Sequence, residues 1–193
     1  MVEKIRTFVA VALPEDVVVA IDRVERALAA FDFKIRWVDP HKIHLTLKFL
    51  GDVPLSGIDA IADALAAAVS KHPPLTLHAT GVGAFPGFKR PRIIWVGLGG
   101  QMQALSALQR DVETHLAALG FAPEKRPFRA HLTMGRVKGA IDSRRLIEAV
   151  NGLQRFESPP FAVREVAIFR SELRPGGAEY TKLRVVQLQG DAD

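Results

Sequence analysis

His44-Leu45-Thr46-Leu47-Lys48-Phe49-Leu50-Gly51 alternates polar and apolar side chains up to Phe49, and His131-Leu132-Thr133-Met134 repeats its first four positions 87 residues later. Side chains two apart in a strand share a face. Alternation therefore puts His44, Thr46 and Lys48 on one face of the first strand and Leu45, Leu47 and Phe49 on the other. In the second strand His131 and Thr133 oppose Leu132 and Met134. Each strand is expected to bury its apolar face under helices and to present an imidazole beside a hydroxyl on the opposite face.

Reading outward, both motifs sit in the same context. Thr7 to Ala12 reads as a strand stopping at Pro14, and Glu15 to Phe31 as a helix with Val18, Ile21, Val24, Leu28 and Phe31 at spacings of three and four. After the strand Ile43 to Leu50, ended by Gly51, come a helix over Ile58 to Val69 and a strand over Leu75 to Val82. The order then recurs: strand Arg92 to Leu98, helix Met102 to Leu119, strand Ala130 to Val137, helix Ser143 to Val150 and strand Phe161 to Phe169. Thr181 to Leu188 adds a last strand, and Gly190 to Asp193 reads as an acidic tail. Phe8 lies 36 residues before His44 and Ile94 lies 37 before His131; Leu77 and Val163 follow those histidines by 33 and 32. Two copies of one unit, roughly 1–90 and 91–193, account for nearly the whole chain. The fold class expected is α+β and bilobal: a single domain over 1–193 of two pseudo-symmetric lobes, each with an antiparallel-type sheet and outer helices. A site is expected in the cleft between them.

The 193 residues include 26 Lys and Arg against 21 Asp and Glu, a net charge of +5 that favours polyanionic partners. Cysteine is absent, which removes disulfides, thiolate metal sites and a cysteine nucleophile. No apolar run approaches the roughly 20 residues that span a bilayer, and Met1 to Pro14 is a poor secretory signal. A cytoplasmic protein that does not enter membranes is expected.

A lone histidine on a strand is ordinarily structural. The same His-x-Thr pair in equivalent places of a duplication calls for a shared task. Two imidazoles, which titrate near neutrality, supply a general base for water and a general acid for a leaving oxygen. Two threonine hydroxyls can donate hydrogen bonds to non-bridging phosphate oxygens, whose charge grows in the transition state. That set suits opening of a 2′,3′-cyclic phosphate. His41-x-x-His44 is the single close histidine pair and has no carboxylate cluster beside it, so neither a metal nor a cofactor is expected. By symmetry, either histidine could be the acid.

The two His-x-Thr-x motifs, Thr46-Leu47-Lys48-Phe49-Leu50-Gly51 and Phe8 to Pro14 resemble the two-histidine phosphoesterase superfamily, and within it the RNA 2′,3′-cyclic phosphodiesterases, also called LigT-like 2′-5′ RNA ligases. The resemblance implies hydrolysis of RNA 2′,3′-cyclic phosphate ends to 2′-phosphates, with reversible 2′-5′ ligation. It implies His44 as proton donor, His131 as proton acceptor, and Thr46, Thr133 and Arg136 as substrate-binding residues. Arg136 has the wrong parity for a regular strand, and Gly135 is where a bulge would re-aim it. The implied partner is RNA with cyclic phosphate ends, bound by a monomer. The alternatives are the same chemistry on a small nucleotide such as an ADP-ribose cyclic phosphate, or a non-catalytic module that grips RNA ends.

The remaining basic and aromatic signals are less specific. The Phe85 to Arg92 loop reads either as a base-stacking cationic loop or as a hairpin whose phenylalanines pack inward, and Arg126 and Arg129 flank the second motif. Trp37 and Trp95 read as core or cleft wall, Arg170 and Arg174 as solvated charge.

Overall fold

Pro14 sets the entry to the first helix. The computed structural model describes residues 3–175 and 177–189, so the acidic segment Gly190–Asp193 lies outside the described residues. Strand β1 (Lys4–Ala12) leads through Pro14 into α1 (Glu15–Ala29), whose first turn carries Glu15 and Asp16 against the positive end of the helix dipole. Val17, Val18, Ile21, Val24 and Leu28 form its buried face, so burial outweighs the poor helix propensity of the valine run. There follow β2 (Ile35–Trp37), β3 (His44–Pro54), α2 (Ile58–Val69), β4 (Leu75–Phe85), β5 (Ile93–Gly100), α3 (Met102–Ala118), β6 (Leu132–Val137) and α4 (Ser143–Asn151). The chain ends in β7 (Phe161–Val163), β8 (Glu165–Arg174) and β9 (Gly177–Gln187).

Several boundaries differ from the sequence reading. β3 runs on past Gly51, which at φ +74° absorbs a bulge opposite Thr7 and lets pairing continue to Pro54. β2 is too short to leave a periodic signal. The strand expected over Phe161 to Phe169 is two strands parted by Arg164. β7 pairs with β4, while β8 pairs with β1.

That break decides the architecture. The fold is α+β, and its strands pair antiparallel in one sheet of order β7-β4-β5-β6-β3-β1-β8-β9, with β2 paired to β6. One residue separates Val163 of β7 from Glu165 of β8, so their Cα atoms lie no more than about 7 Å apart. A sheet whose far end returns to its seventh strand within that distance must curl on itself. Separate sheets for 1–90 and 91–193 were expected; the structure has one continuous sheet. β4, from the first half of the sequence, pairs with β5 of the second, and β8, from the second half, pairs with β1 of the first. The third strand of each sequence unit thus completes the other side of the sheet.

The buried side chains of all four helices and of the strand faces beneath them form one apolar cluster, and a smaller one (Phe8, Ala10, Ala167 and Phe169, with Tyr180 against it) lies beside His44. Among the described residues no helix is long and apolar enough to cross a membrane.

One buried group on α1 stands out. Glu25 Oε2 is buried without a hydrogen-bond partner among the described residues. Burial, then the charges of Asp22 and Asp39, push the Glu25 carboxyl up to about 7, with Arg26 opposing. The folded state thus holds this proton more tightly than the unfolded chain does, and that contribution is lost as pH rises from 4.5 through about 7. Glu25→Gln is expected to raise the melting temperature above pH 7 and to leave it unchanged below pH 4.5. Calorimetry at the two pH values checks this, and equal shifts at both would contradict it.

Candidate active site

Leu45 and Leu132, the middle residues of the two motifs, are the pair that joins β3 to β6. Both are fully buried, which contributes about 1.5–3 kcal/mol apiece. Antiparallel pairing around them sets His44 across from Thr133, and Thr46 across from His131, on the opposite face. All four line one cavity of about 370 Å³.

Just beyond each threonine the alternation breaks at the same point. Ala10 opposes Thr46 but Val9 opposes Lys48, so Leu47 is an extra residue; Trp95 opposes Thr133 but Ile94 opposes Gly135, so Met134 is another. A one-residue bulge inverts the facing of every side chain beyond it in the strand. Lys48 therefore turns inward, 4% exposed, and Phe49 turns to the cavity, 66% exposed. Both are the reverse of the facing that plain alternation gives. In the second copy Gly135 turns inward, where a Cβ would come within 2.6 Å of Ile35. Arg136 reaches the cavity wall. The bulge anticipated at Gly135 lies one residue earlier, with Gly135 giving it room.

The histidines are held alike. His44 Nδ1 lies 2.8 Å from the Lys42 carbonyl and His131 Nδ1 lies 2.7 Å from the Arg129 carbonyl. A carbonyl only accepts, so each Nδ1 carries the hydrogen and each Nε2 is left for chemistry: an acceptor on the neutral ring, a donor on the imidazolium. Their surroundings differ. The His44 ring stacks on Phe8 (4.7 Å) and on Phe169 (6.2 Å), with Tyr180 edge-on at 5.0 Å; His131 has Phe85 edge-on at 5.0 Å. Burial pushes the His44 pKa below 6.5, and the bond to Lys42 partly restores it. Burial also pushes Tyr180 up, countered by the nearby charges of Arg136 and Arg6.

The cavity is strongly cationic. Among the described residues Arg6, Arg36, Lys42, Arg136, Lys138 and Arg174 line it against a single carboxylate, Asp39. Lys42 is paired with Glu179 and Arg174 with Glu172. Of these residues the sequence reading found Arg136 and took Arg174 as solvated charge. Arg6, Arg36, Lys138 and Tyr180 come from strands or strand ends with no recognisable motif, and only the folded sheet brings them together.

Other candidates are placed elsewhere. His41 turns toward Glu15 (3.6 Å) and away from His44's aromatic surroundings, and no three His, Asp or Glu side chains among the described residues group as a metal ion needs. Phe85 packs on Trp95 and His131, and Phe88 packs against the core, so the loop follows the inward-packing alternative. Trp37 lines the cavity as wall, whereas Arg126 and Arg129 do not line it.

The first bulge is pinned from behind by α3. Gln109 donates to the Leu47 carbonyl (3.3 Å) and to Glu113 (3.2 Å); Glu113 in turn accepts from Lys48, which also donates to the Ala122 carbonyl (3.0 Å). The Glu124 amide reaches the same carboxylate at 3.4 Å. One buried ion pair thus ties the bulge that aims Phe49 to the segment leading into the second motif.

The sequence profile of the 2′-5′ RNA ligase superfamily matches residues 13–175. An RNA 2′,3′-cyclic phosphodiesterase of Methanothermobacter thermautotrophicus is 35% identical over 185 residues, 96% of this chain and all of the relative. A crystal structure from Thermus thermophilus superposes with a TM-score of 0.79 at 26% identity, covering 97% of this chain and 100% of that one. E. coli LigT, crystallised without ligand, shares the fold with a TM-score of 0.72 at 24% identity, covering 96% and 98%.

The α3 network makes a demand on stability. Lys48→Met strands the Glu113 carboxylate, and a loss of about 3–5 kcal/mol is expected in urea unfolding, the usual scale for breaking a buried pair. Lys48→Met with Glu113→Leu should recover most of it. A double-variant loss equal to the sum of the losses of Lys48→Met and Glu113→Leu would show that the two side chains are not coupled.

Proposed function

The chain belongs to the 2′-5′ RNA ligase superfamily, and from that premise we propose that its cavity is the active site of an RNA 2′,3′-cyclic phosphodiesterase. The chain hydrolyses 2′,3′-cyclic phosphate ends of RNA to 2′-phosphomonoesters; in support, relatives about as long as itself are RNA 2′,3′-cyclic phosphodiesterases. The observation that carries the reading is the pair of imidazoles fixed through Nδ1, each with its Nε2 left for proton transfer beside a threonine of the other motif.

In the proposed mechanism His131 Nε2 takes a proton from water, and the water oxygen attacks phosphorus. The bond from phosphorus to the 3′ oxygen breaks, and His44 Nε2 delivers its proton to that oxygen. The phosphate stays on the 2′ oxygen. Thr46 and Thr133 donate to the non-bridging oxygens, and the Arg136 guanidinium balances their growing charge. The aromatic surroundings of His44 suit a donor, because an imidazolium held against burial is a stronger acid, and the bound phosphate anion favours its protonated form. Acid and base together account for both proton transfers, so the scheme assigns no step to a metal. The 2′-5′ ligation implied by the family name is the same scheme with an RNA 5′-hydroxyl in place of water: His131 takes its proton, its oxygen bonds to phosphorus, and the bond to the 3′ oxygen breaks as His44 protonates that oxygen.

We read the curled sheet as two pseudo-symmetric halves meeting at β3 and β6. In support, the strand order outward from that junction pairs β3 with β6, β1 with β5, β8 with β4, and β9 with β7. One chain then contributes both halves of the site, so a monomer suffices.

A cyclic-phosphate-ended oligonucleotide in EDTA, followed by phosphorus NMR, should give the 2′-phosphate; a 3′-phosphate product or a strict metal requirement would overturn the mechanism. His44→Ala and His131→Ala should each lower turnover roughly 10²–10⁴-fold. Their residual rates separate the roles. Without His131, the rate should fall as pH rises through a His44 pKa below 6.5. Without His44, that fall should be absent. A rate that instead rises with pH in the His131 variant would exchange donor and acceptor.

A further inference from the structure

Arg36 and Arg136 stand directly opposite each other on β2 and β6. One rung outward the Lys138 amide donates to the Lys34 carbonyl (2.7 Å), so the chains stay paired and bring Lys34 beside Lys138. Lys34 immediately precedes β2 and Lys138 immediately follows β6, each two residues from the arginine of its own segment. All four are exposed. Arg36, Arg136 and Lys138 line the cavity; Lys34 lies beyond it, with its aliphatic stem against Gly139, where a Cβ would come within 2.8 Å of Lys34 Cδ.

Like charges directly opposite on paired strands destabilise a sheet by a fraction of a kcal/mol up to about 1 kcal/mol per pair. Here two such rungs run in sequence, and among the described residues none of the four cations has an ion-pair partner. Asp39, the one carboxylate among the described residues that line the cavity, accepts from the His41 amide at 3.0 Å and so caps the turn before β3. One scissile phosphate, held by the threonines and Arg136, does not use Arg36, Lys34 and Lys138. The rungs are spaced by two strand residues, about 6.6 Å, comparable to the step between successive phosphates of an extended single strand.

Resting on the phosphodiesterase reading above, we propose that this cross-strand ladder, Lys34 and Arg36 facing Lys138 and Arg136, holds the phosphodiester backbone of the RNA on the 5′ side of its cyclic end. The ladder makes the preferred substrate an oligonucleotide and not a mononucleotide. The chain leaves the cavity over β2: Arg136 reaches back to the scissile phosphate, Arg36 opposite it meets the first upstream phosphate, and the lysine rung meets the next. Binding there is electrostatic and independent of base identity.

The test compares a cyclic-phosphate-ended oligonucleotide with a nucleoside 2′,3′-cyclic phosphate. Lys34→Gln should lower the ratio of kcat/KM for the longer over the shorter substrate by several-fold, and Lys34→Glu by more. The slope of log kcat/KM for the oligonucleotide against log salt should become shallower by about 0.7, the single-strand value for one lost phosphate contact. Lys71→Gln, an exposed cation at the end of α2, should move neither quantity. An unchanged ratio, or a salt slope equal to that of Lys71→Gln, would overturn the ladder. If the unaltered protein hydrolysed neither substrate, the phosphodiesterase reading would fall and the ladder would be judged separately. In that case fluorescence anisotropy with a 2′-phosphate-ended oligonucleotide should show weaker binding by Lys34→Gln, and equal binding would overturn the ladder as well.

Discussion

The contact between Leu45 and Leu132 sets the geometry of everything around it. They are apolar, fully buried, and the point at which the two sides of the sheet pair. Because the pairing is antiparallel, the flanking polar residues interleave, and each histidine gains the other motif's threonine as its neighbour. Packing that has no chemistry of its own thus builds a site with chemistry on the reverse face. A shift of one residue at this junction would turn both motifs inward together, since side-chain facing has a period of two.

The residues of the motifs were legible because alternation holds from His44 to Thr46 and from His131 to Thr133. It fails one residue later in each strand. No feature of Leu47 or Met134 marks a bulge, and the side chains that decide its cost, Gln109 and Glu113, lie on a helix more than sixty residues from Leu47. Lys48 and Phe49 were therefore each placed on the wrong face, while Gly135 before Arg136 marked where a bulge could turn that side chain. The strand exchange escaped detection for a related reason. Arg164 looks like any strand residue, and only pairing partners show that β7 and β8 belong to distant positions in the sheet. Helices were read well, because burial of an amphipathic face is a local pattern. Arg6, Arg36 and Tyr180 were not, because the cavity that unites them is assembled from β1, β2 and β9.

Duplicated geometry does not bring duplicated electrostatics. Both imidazoles are oriented through the same backbone bond, yet His44 lies in aromatic packing supplied by Phe8, Phe169 and Tyr180, and His131 meets one aromatic edge. Phe169 and Tyr180 lie on β8 and β9, the hairpin that the strand exchange delivers to the β1 side of the sheet. The same exchange brings β4, and with it Phe85, to the other side. The asymmetry an acid and a base require is therefore a consequence of what the two crossing segments carry.

The positions just after the bulges carry that divergence to its end. Phe49 and Arg136 occupy equivalent places, each turned to the cavity by the extra residue before it, and they could hardly differ more in chemistry. Arg136 presents a charge there, whereas Phe49 presents an exposed, flat apolar surface. Behind each position the inward residue differs in step: Lys48 anchors to Glu113, while Gly135 makes room for Ile35 and Trp37 of β2. β2 can pair with β6 only because Gly135 leaves that space, and β2 is the strand that adds Arg36 to the cavity. The glycine beside which Arg136 turns to the cavity is thus also the residue that admits the rest of the cationic surface.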